Sequence, residues 1–472
     1  MNVKAYNQDQ ALLFPPEVRQ LLPDDHLAVI INDIVDSMDL SLLYRKVPAE
    51  GNPSYHPAMM LKVLVYAYAS GVFSSRKIQK ALQESVAFIF LAAWQRPDFR
   101  TISDFRKNHL AELKILFGQV VGYAEQMKML SLGHVAIDGS KFRANASDRH
   151  TWTEKRIDKK IEKLLATSVR VDAEEDAQFG SLCSGDEVPD PIRRRADRIQ
   201  ELKKIRQKIE AAGKGSLSLT DKDAVFMKTA HGIRTCYNAQ VAVEEKSQVI
   251  VAAEVVNDPN DVAQLVPMIE QVEAGVGQPE KVSADSGYSS GENLKAVAQK
   301  GIDAYIPDPE LQGRQRRPPK EKYFHRSRFI RQEAEDCFIC PAGQKLSFFR
   351  LQKDTHGSML RVYLCHGSAT CPLKPKCTKA GRGRTISISA HAKELQAMRD
   401  KLETESGKRI YQRRQAIVEP VFATLKRAIG FAGFLLRGLP KVRGEFALLC
   451  LAHNLRKIAG YVRNERICPQ TA

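Results

Sequence analysis

Apolar and polar positions predict strands through the middle of the chain. Residues 135–138 form a short apolar run ending on an acid, and residues 237–243 and 249–256 alternate as two strands around a turn at 244–247, which is typical of a β-hairpin. The pattern then predicts, in order, a helix over 261–272, a strand over 281–285, a helix over 292–299 closed by Gly301, and a strand over 303–306. Three strands, a helix, a strand, a helix and a strand predict an α/β domain.

Helical spacing dominates the chain before residue 130. Residues 23–26 look like a helix start, Pro57 opens a second helix, and a capped helix is predicted from residue 101 towards residue 129. Between them, a turn at Gly71 leads into a serine-capped basic helix, an order compatible with a helix-turn-helix. The side chains that such a helix would present to phosphates and base edges are Ser75, Arg76, Gln79 and Lys80. An ordinary helical hairpin with a solvated basic face has the same pattern.

Residues 148–213 interrupt the strands with charge-rich helical spacing on both sides of a loop at 180–190, which predicts an inserted helical hairpin. The hairpin offers aromatic and basic candidates for nucleic-acid contact, namely Trp152, Arg193, Arg194 and Arg195. A solvated helical arm is the plainer interpretation. Residues 400–472 return to helical spacing, and the last helix is predicted to be core packing.

Residues 308–395 form a second interruption, which begins with a basic, proline-containing linker at 313–320. The segment then carries a cluster of cysteines, Cys337, Cys340, Cys365, Cys371 and Cys377. In an intracellular chain such clustering favours a structural zinc site over disulfides. The Cys337-x2-Cys340 spacing favours that pair as ligands, and a loop of reduced thiols is the alternative.

Composition narrows the choice of partner. The chain of 472 residues has a formal net charge of +17 and a pI of about 9.4, which favours a polyanion. Basic residues are dispersed among acids, which suits a large DNA-handling surface better than a polybasic tail. The polar N-terminus has no apolar signal core, and the longest apolar runs are far shorter than the ~20 residues of a membrane span. A cytoplasmic protein without a membrane partner is expected.

Asp138 and Asp285 end predicted strands, and Glu419 lies in a predicted helix. Any one of them is more often a turn or cap residue. Together they can hold two hard divalent cations, which prefer oxygen ligands. Two such ions roughly 3.5–4 Å apart activate an attacking hydroxyl and stabilise a leaving oxygen in phosphoryl transfer. Lys426 follows Glu419 by seven residues and would share its helix face, where it can meet a DNA phosphate.

The motifs around these acids resemble those of bacterial insertion-sequence DDE transposases. The matching stretches are residues 136–141 with 144–147, residues 237–240, residues 284–288 and residues 414–422. The similarity extends through nearly the whole chain. The group resembled has an InsH-like helical N-terminal domain and a ribonuclease-H-like core, and more narrowly it is the IS eleven-eighty-two group.

This resemblance implies an α/β fold in four parts. They are a helical N-terminal domain for DNA binding and assembly (1–128), a ribonuclease-H-like catalytic core (129–147, 214–308 and 396–472), a helical insertion (148–213) and a cysteine-rich insertion (309–395). The order of predicted strands and helices is the one expected of such a core. The cysteines that correspond to the set in related proteins are Cys340, Cys365, Cys371 and Cys377, with Cys337 as an alternative.

The resemblance also implies an activity on double-stranded DNA. The protein would bind the terminal inverted repeats of an insertion sequence, cleave at the element ends and join the freed 3′-hydroxyl to target DNA. Asp138 would bridge two Mg²⁺ or Mn²⁺ ions, with Asp285 and Glu419 holding one each. The side chains expected to position DNA near the ions are Lys141, Asn145, Asn238, Gln240 and Lys426. Since two element ends must meet, a homodimer or higher assembly on the nucleoid is expected.

One stretch departs from the family pattern. Relatives carry Tyr-x2-Arg-x3-Glu-x6-Lys, whereas here four residues separate Arg414 from Glu419. An ideal helix would turn these two side chains about 140° apart. Pro420 must also start or kink a helix. The roles of Tyr411 and Arg414 are therefore left open.

Two other functions share these features. A metal-dependent nuclease on the same fold would cut DNA without joining it. A transposase-derived DNA-binding protein would bind the repeats and leave them uncut, although the presence of all three acids argues against that interpretation.

Overall fold

The computed structural model describes residues 17–48, 50, 53–179, 190–213, 215–308, 324, 326–353, 359–368, 370–389 and 391–467. Most of the loop predicted at 180–190 and the basic linker at 313–320 lie outside the described residues, as do the side chains of Arg193, Arg194 and Arg195.

The strands are β1 (His134–Arg143), β2 (Thr151–Trp152), β3 (Leu217–Ser218), β4 (Val225–Thr229), β5 (Gly232–Glu244), β6 (Ile250–Val256), β7 (Lys281–Ala284), β8 (Asp303–Tyr305), β9 (Ile330–Gln332), β10 (Cys337–Ile339), β11 (Lys345–Lys353), β12 (Met359–Cys365) and β13 (Thr385–Ser389). The helices are α1 (Leu27–Ser37), α2 (Ser41–Tyr44), α3 (Pro57–Ala69), α4 (Ser75–Glu84), α5 (Val86–Ala92), α6 (Phe99–Asn108), α7 (Leu110–Gln126), α8 (Glu154–Phe179), α9 (Asp190–Ala212), α10 (Leu265–Val276), α11 (Gly291–Gln299), α12 (Lys374–Cys377), α13 (Ala392–Glu403), α14 (Glu405–Ala423) and α15 (Leu439–Ile467).

Helix starts in the N-terminal region follow local capping chemistry. His26 caps α1 by accepting a hydrogen bond from the Ala28 amide at 3.1 Å, and Pro57 is the first residue of α3. Both predicted starts are confirmed. The helix predicted from residue 101 is wrong in its extent. Asp98 caps α6 so that it begins at residue 99, and the chain leaves helical geometry at His109 before α7.

The central sheet has, within the described residues, the strand order β4-β5-β1-β7-β8, with β6 also paired to β5. β1 runs antiparallel to β5 and parallel to β7, and β7 runs parallel to β8. Helices α10 and α11 connect the parallel strands. This order and these directions confirm the predicted α/β core, including the hairpin β5–β6.

One hydrophobic core joins the N-terminal helices to this sheet. The C-terminal helix α15 packs against α3, α7 and β6, and the buried cluster extends from Ala28 to Ala459. On α15, Asn454 donates to and accepts from the backbone of Ile250 at 2.9 Å in each direction, which confirms its packing role. No described helix is long and apolar enough to cross a membrane.

The two interruptions have hydrophobic clusters of their own. The predicted hairpin is confirmed as α8 and α9, which pack around Trp152, Ile157 and Leu202. Trp152 is 7% exposed and lies beneath Arg156 and Arg198, so the suggestion that it contacts DNA is wrong for this arrangement. In the cysteine segment, the described strands form an antiparallel sheet in the order β13-β12-β11-β10-β9, which the sequence pattern did not predict.

Candidate active site

Asp138 and Asp285 each follow the last residue of the pairing between the parallel strands β1 and β7. The prediction that the first strand ends at Asp138 is wrong, because β1 stays paired with β5 and continues to Arg143. The pairing of β1 with β7 ends at Ile137 and Ala284, so each aspartate is the next residue along its strand. Because both strands run in the same direction, the two side chains leave the sheet at the same edge. The structure therefore brings these predicted acids together.

The surroundings of both aspartates disfavour the ionised carboxylate. Burial raises the pKa of Asp138 to about 6; the Arg414 guanidinium opposes this rise, and Asp285 and Asp261 add to it. Burial also raises the pKa of Asp285, against a hydrogen bond that the Gly287 amide donates at 2.8 Å. Low dielectric and neighbouring like charges both disfavour the charged form. Nearby positive charge therefore only partly offsets the burial of the pair.

Arg414 supplies part of that charge. It lies on α14, is 8% exposed, and donates from Nη1 to Asp138 Oδ2 at 3.2 Å. Tyr411, one turn earlier, has its ring centroid 5.8 Å from the Arg414 guanidinium. The angle expected of an ideal helix left Arg414 without a role, yet Arg414 reaches the acids. The reason is that the sheet-facing side of α14 contains Arg414 and not Glu419.

Glu419 is exposed on the flank of α14. It lines an open cleft of about 620 Å³ together with Gln415, Phe422 and Lys426. Lys426 Nζ donates to Ser140 Oγ at 2.6 Å on β1. This flank therefore faces the end of β1, with Glu419 and Lys426 on it as the seven-residue spacing predicts.

Pro420 does not end the helix. α14 continues through it to Ala423 and is followed by a π-helical turn over Thr424–Ala428. Proline cannot donate to the carbonyl four residues back, which leaves the Ala416 carbonyl without its helical donor. Gln248 Nε2 donates to that carbonyl at 2.9 Å instead. A tertiary contact thus allows the helix to reach Lys426.

Asp261 is an acid of the site that the sequence did not reveal. It was predicted inside a helix, whereas it precedes a short 3₁₀ turn over Val262–Gln264. Its Oδ1 accepts hydrogen bonds from Asn238 Nδ2 at 2.6 Å and Gln240 Nε2 at 2.8 Å. Lys141 Nζ lies 3.2 Å from the same oxygen. The sequence feature that could have indicated Asp261 is the polar turn at residues 257–261, directly after an apolar strand.

The other predicted DNA-positioning residues divide into two groups. Asn238 and Gln240 are fully buried, so in this arrangement they hold Asp261 and do not present a surface to DNA. Asn145 donates to the Leu435 carbonyl at 2.6 Å and lines an open groove of about 550 Å³ with Arg143 and Arg437. This groove begins at Arg143, where β1 ends.

Helix α4 is basic and follows the predicted glycine turn. Gly71 has a φ of +76°, and a Cβ there would lie 2.5 Å from the Ile429 carbonyl oxygen. Of the side chains suggested for DNA contact, Arg76 and Lys80 are exposed. Gln79 accepts a hydrogen bond from the backbone of α6, and the Ser75 hydroxyl is buried.

A small cavity in the cysteine segment is lined by Cys340, Cys365, Cys371 and Cys377. The Gln344 amide donates to Cys340 Sγ at 3.3 Å. Cys337 lies elsewhere and donates to Gln332 Oε1 at 3.6 Å. The structure thus separates Cys337 from the other cysteines of the cluster.

No group of three or more His, Cys, Asp or Glu side chains in the described part of the chain is arranged to hold a metal ion. The Asp138–Asp285 pair still has the right chemistry for one hard divalent cation. It offers carboxylate oxygens, is half-buried, and nearby positive charge only partly offsets that burial. Its residues fit such an ion, with Glu419 outside the group.

Comparison with known families adds independent information. Residues 339–459, which contain α14 and Glu419, match a family model described as a transposase DDE domain. Residues 16–108, which contain α1 to α6, match the transposase domain DUF772. No curated protein matches the chain. The narrower InsH-like and IS eleven-eighty-two grouping is consistent with this pair of domains. Together the two matched domains indicate an insertion-sequence DDE transposase.

Proposed function

We propose that this transposase binds the terminal inverted repeats of its insertion sequence, cleaves DNA at the element ends and joins the 3′-hydroxyl to target DNA. The observation that carries this function is the pair of half-buried aspartates, Asp138 and Asp285, side by side where the pairing of parallel strands β1 and β7 ends, with the pKa of both raised by burial. A structural acid pair of this kind would only destabilise the fold. Binding of a cation to the pair would offset this destabilisation.

Asp138 and Asp285 would hold a divalent cation, either Mg²⁺ or Mn²⁺. When bound, such cations activate the attacking hydroxyl and stabilise the leaving oxygen. Arg414 orients Asp138 by its hydrogen bond to Oδ2, at 3.2 Å. Lys426 and Lys141 bring ammonium groups to the end of β1, where they would neutralise phosphates of the bound strand. No side chain is needed as a covalent nucleophile, because phosphoryl transfer depends on positioning and charge.

Glu419 would be the third acidic ligand of the site and would hold a second cation. Its place on the same cleft as Lys426, which bonds to β1, supports this role. DNA would enter past Lys141 and Lys426, with Arg76 and Lys80 of α4 as further phosphate contacts. Two element ends must be held together, so we expect a homodimer or higher assembly on DNA.

The function predicts a joined product in a defined reaction. Labelled DNA carrying the inverted repeats that flank the gene is incubated with protein, Mg²⁺ and a supercoiled plasmid. Wild type is expected to cleave the repeat end and join it to the plasmid, and Asp285→Ala to do neither because it loses half of the acid pair. Asp303→Ala is the matched control, since Asp303 begins the adjacent parallel strand and pairs with Lys401.

Each outcome separates the candidate functions. Cleavage without joining would identify a nuclease. Equal binding by wild type and Asp285→Ala with no cleavage would identify a DNA-binding protein. Joining by Asp285→Ala would contradict the assignment of the acids. Loss of joining in Asp303→Ala as well would point to misfolding of the sheet.

We also propose that Cys340, Cys365, Cys371 and Cys377 bind a structural zinc ion. They line one cavity, and burial raises the pKa of Cys365 and Cys377. Four thiolates are the ligand set of many structural zinc sites. Purified wild type is expected to contain about one zinc per chain by elemental analysis. Cys371→Ser should lose it, and Cys337→Ser should keep it. Zinc retained by Cys371→Ser, or absent from wild type, would contradict this site.

A further inference from the structure

Asp261 belongs to a hydrogen-bonded network that fixes its orientation. Its partners Asn238 and Gln240 are fully buried amides on β5. The Tyr288 hydroxyl donates to Gln240 Oε1, which turns Gln240 Nε2 towards Asp261. A buried, fully connected network of this kind holds its carboxylate rigidly. Nothing in the proposed reaction uses Asp261, so its purpose needs a separate explanation.

Lys141 forms an ion pair with Asp261. Its Nζ is 3.2 Å from Asp261 Oδ1 and 3.4 Å from Oδ2, and the two side chains are 18% and 20% exposed. The ammonium is also close enough to Asp285 to oppose the rise of its pKa. Both distances are longer than the 2.7–2.9 Å or so of a tight charge-assisted bond. Lys141 is thus held at Asp261 while within electrostatic range of Asp285.

Glycines keep the space between these acids open. A Cβ at Gly287 would lie 2.9 Å from Asp285 Oδ1 and 3.6 Å from Asp261 Oδ2. A Cβ at Gly139 would lie 2.8 Å from Asp261 Oδ1. The two carboxylates therefore border one small space, and an ammonium that left Asp261 for Asp285 would cross only that space.

Building on the cation site of the proposed function, we propose that Asp261 is a positioning residue that holds Lys141 away from Asp285 and so keeps the aspartate pair open for the cation. An ammonium and a divalent cation compete for the same carboxylate oxygens, because the same charges attract both. Without the charge of Asp261, Asp285 becomes the strongest partner within reach of Lys141. With the charge of Asp261 present, Lys141 stays at the rim of the site, where its ammonium can pair with an incoming DNA phosphate.

Mn²⁺ binding to the full chain, measured by electron paramagnetic resonance without DNA, tests this role. Asp261→Asn keeps an acceptor for Asn238 and Gln240 but loses the charge. It is expected to weaken Mn²⁺ binding by about 10- to 100-fold, the usual range for a residue that acts through a neighbour of the ligands. In the Lys141→Met background the same substitution should cost less than about 3-fold, because no ammonium remains to compete.

Asp258→Asn is the matched control, since Asp258 lies in the same turn and its side chain accepts from the Asn260 amide at 2.9 Å. It should leave Mn²⁺ binding unchanged. If Asp261→Asn weakened Mn²⁺ binding equally in the wild-type and Lys141→Met backgrounds, the effect would be one of charge alone, and the positioning role of Asp261 would be overturned. The absence of any weakening in either background would overturn it too. Failure of wild type to bind Mn²⁺ would instead remove the cation site of the proposed function, and this role with it.

Discussion

Asp138→Asn is expected to abolish cleavage and joining while making the metal-free protein more stable at neutral pH. Activity should fall on the order of 10³-fold or more, since removing a group that stabilises transition-state charge costs about 3–4 kcal/mol. Stability should rise because the folded protein holds the Asp138 proton up to about pH 6, compared with 3.8 for an ordinary aspartate. A tenfold change in the acid dissociation constant corresponds to about 1.4 kcal/mol, so the gain at pH 8 is up to about 3 kcal/mol.

The raised pKa of Asp138 also sets how this gain depends on pH. A raised carboxyl pKa favours the protonated form in the fold, so the wild-type contribution is full below about pH 4 and is lost as the pH rises towards 6. Urea unfolding in EDTA across this range should show wild type and Asp138→Asn converging at low pH and separating above it. Equal stability of the two proteins at pH 8 would contradict the expectation.

Asp303→Asn provides the opposite case for comparison. Burial acts to raise the pKa of Asp303, but hydrogen bonds from Lys401 and Tyr305 overcome it and lower the pKa. The contribution of Asp303 is therefore present above its ordinary pKa and lost as the pH falls through the lowered value. Asp303→Asn should reduce stability at pH 8 and leave activity largely intact.

The second large effect is on stability, at Arg106. This residue of α6 is 5% exposed and donates to the Tyr68 hydroxyl and the Phe73 carbonyl, each at 3.1 Å. Tyr68 in turn donates to Glu445 at 3.0 Å, and Glu445 is fully buried at the start of α15. Arg106→Met would leave the Glu445 carboxylate without its nearby cation. Breaking a buried charge network costs about 3–5 kcal/mol, so a loss of that size is expected in urea unfolding.

Arg100→Met is the control, because Arg100 lies on the same helix, is exposed and has its guanidinium 5.7 Å from the Phe99 ring. It should change the free energy of unfolding by less than about 0.5 kcal/mol. A loss below about 1 kcal/mol for Arg106→Met would show that the network contributes little. Because Glu445 also accepts from the amides of Leu435 and Leu436, beside the Asn145 groove, a confirmed loss would link the N-terminal helices to the active-site rim.

Local patterning was enough to predict the architecture around the site. Apolar, β-branched residues make the hairpin β5–β6, and β5 is buried on both faces from Thr235 to Glu244. Each aspartate directly follows an apolar run, which is why Asp138 and Asp285 were found from sequence, although β1 continues past Asp138 to Arg143. His26 and Pro57 were also readable, because capping depends on residues within one helical turn.

The sequence was weaker where a contact spans the chain. Arg414 lies 276 residues from Asp138, and spacing along one helix shows only which side chains share a face, not which face meets the sheet. Asp261 was hidden for the same reason. Its role comes from amides on β5, brought to it by strand pairing that no local pattern describes.

By itself the sequence determined the alternation of strands and helices, the two aspartates that follow apolar runs, the inserted hairpin and a positive charge suited to DNA, because each follows from periodicity, short-range chemistry or composition. The tertiary structure decided that Arg414 pairs with Asp138, that Glu419 lies on the exposed flank of α14, that Asp261 holds Lys141, and that Cys337 is apart from the other clustered cysteines. These depend on register and helix orientation, which are set by packing between segments far apart in the chain.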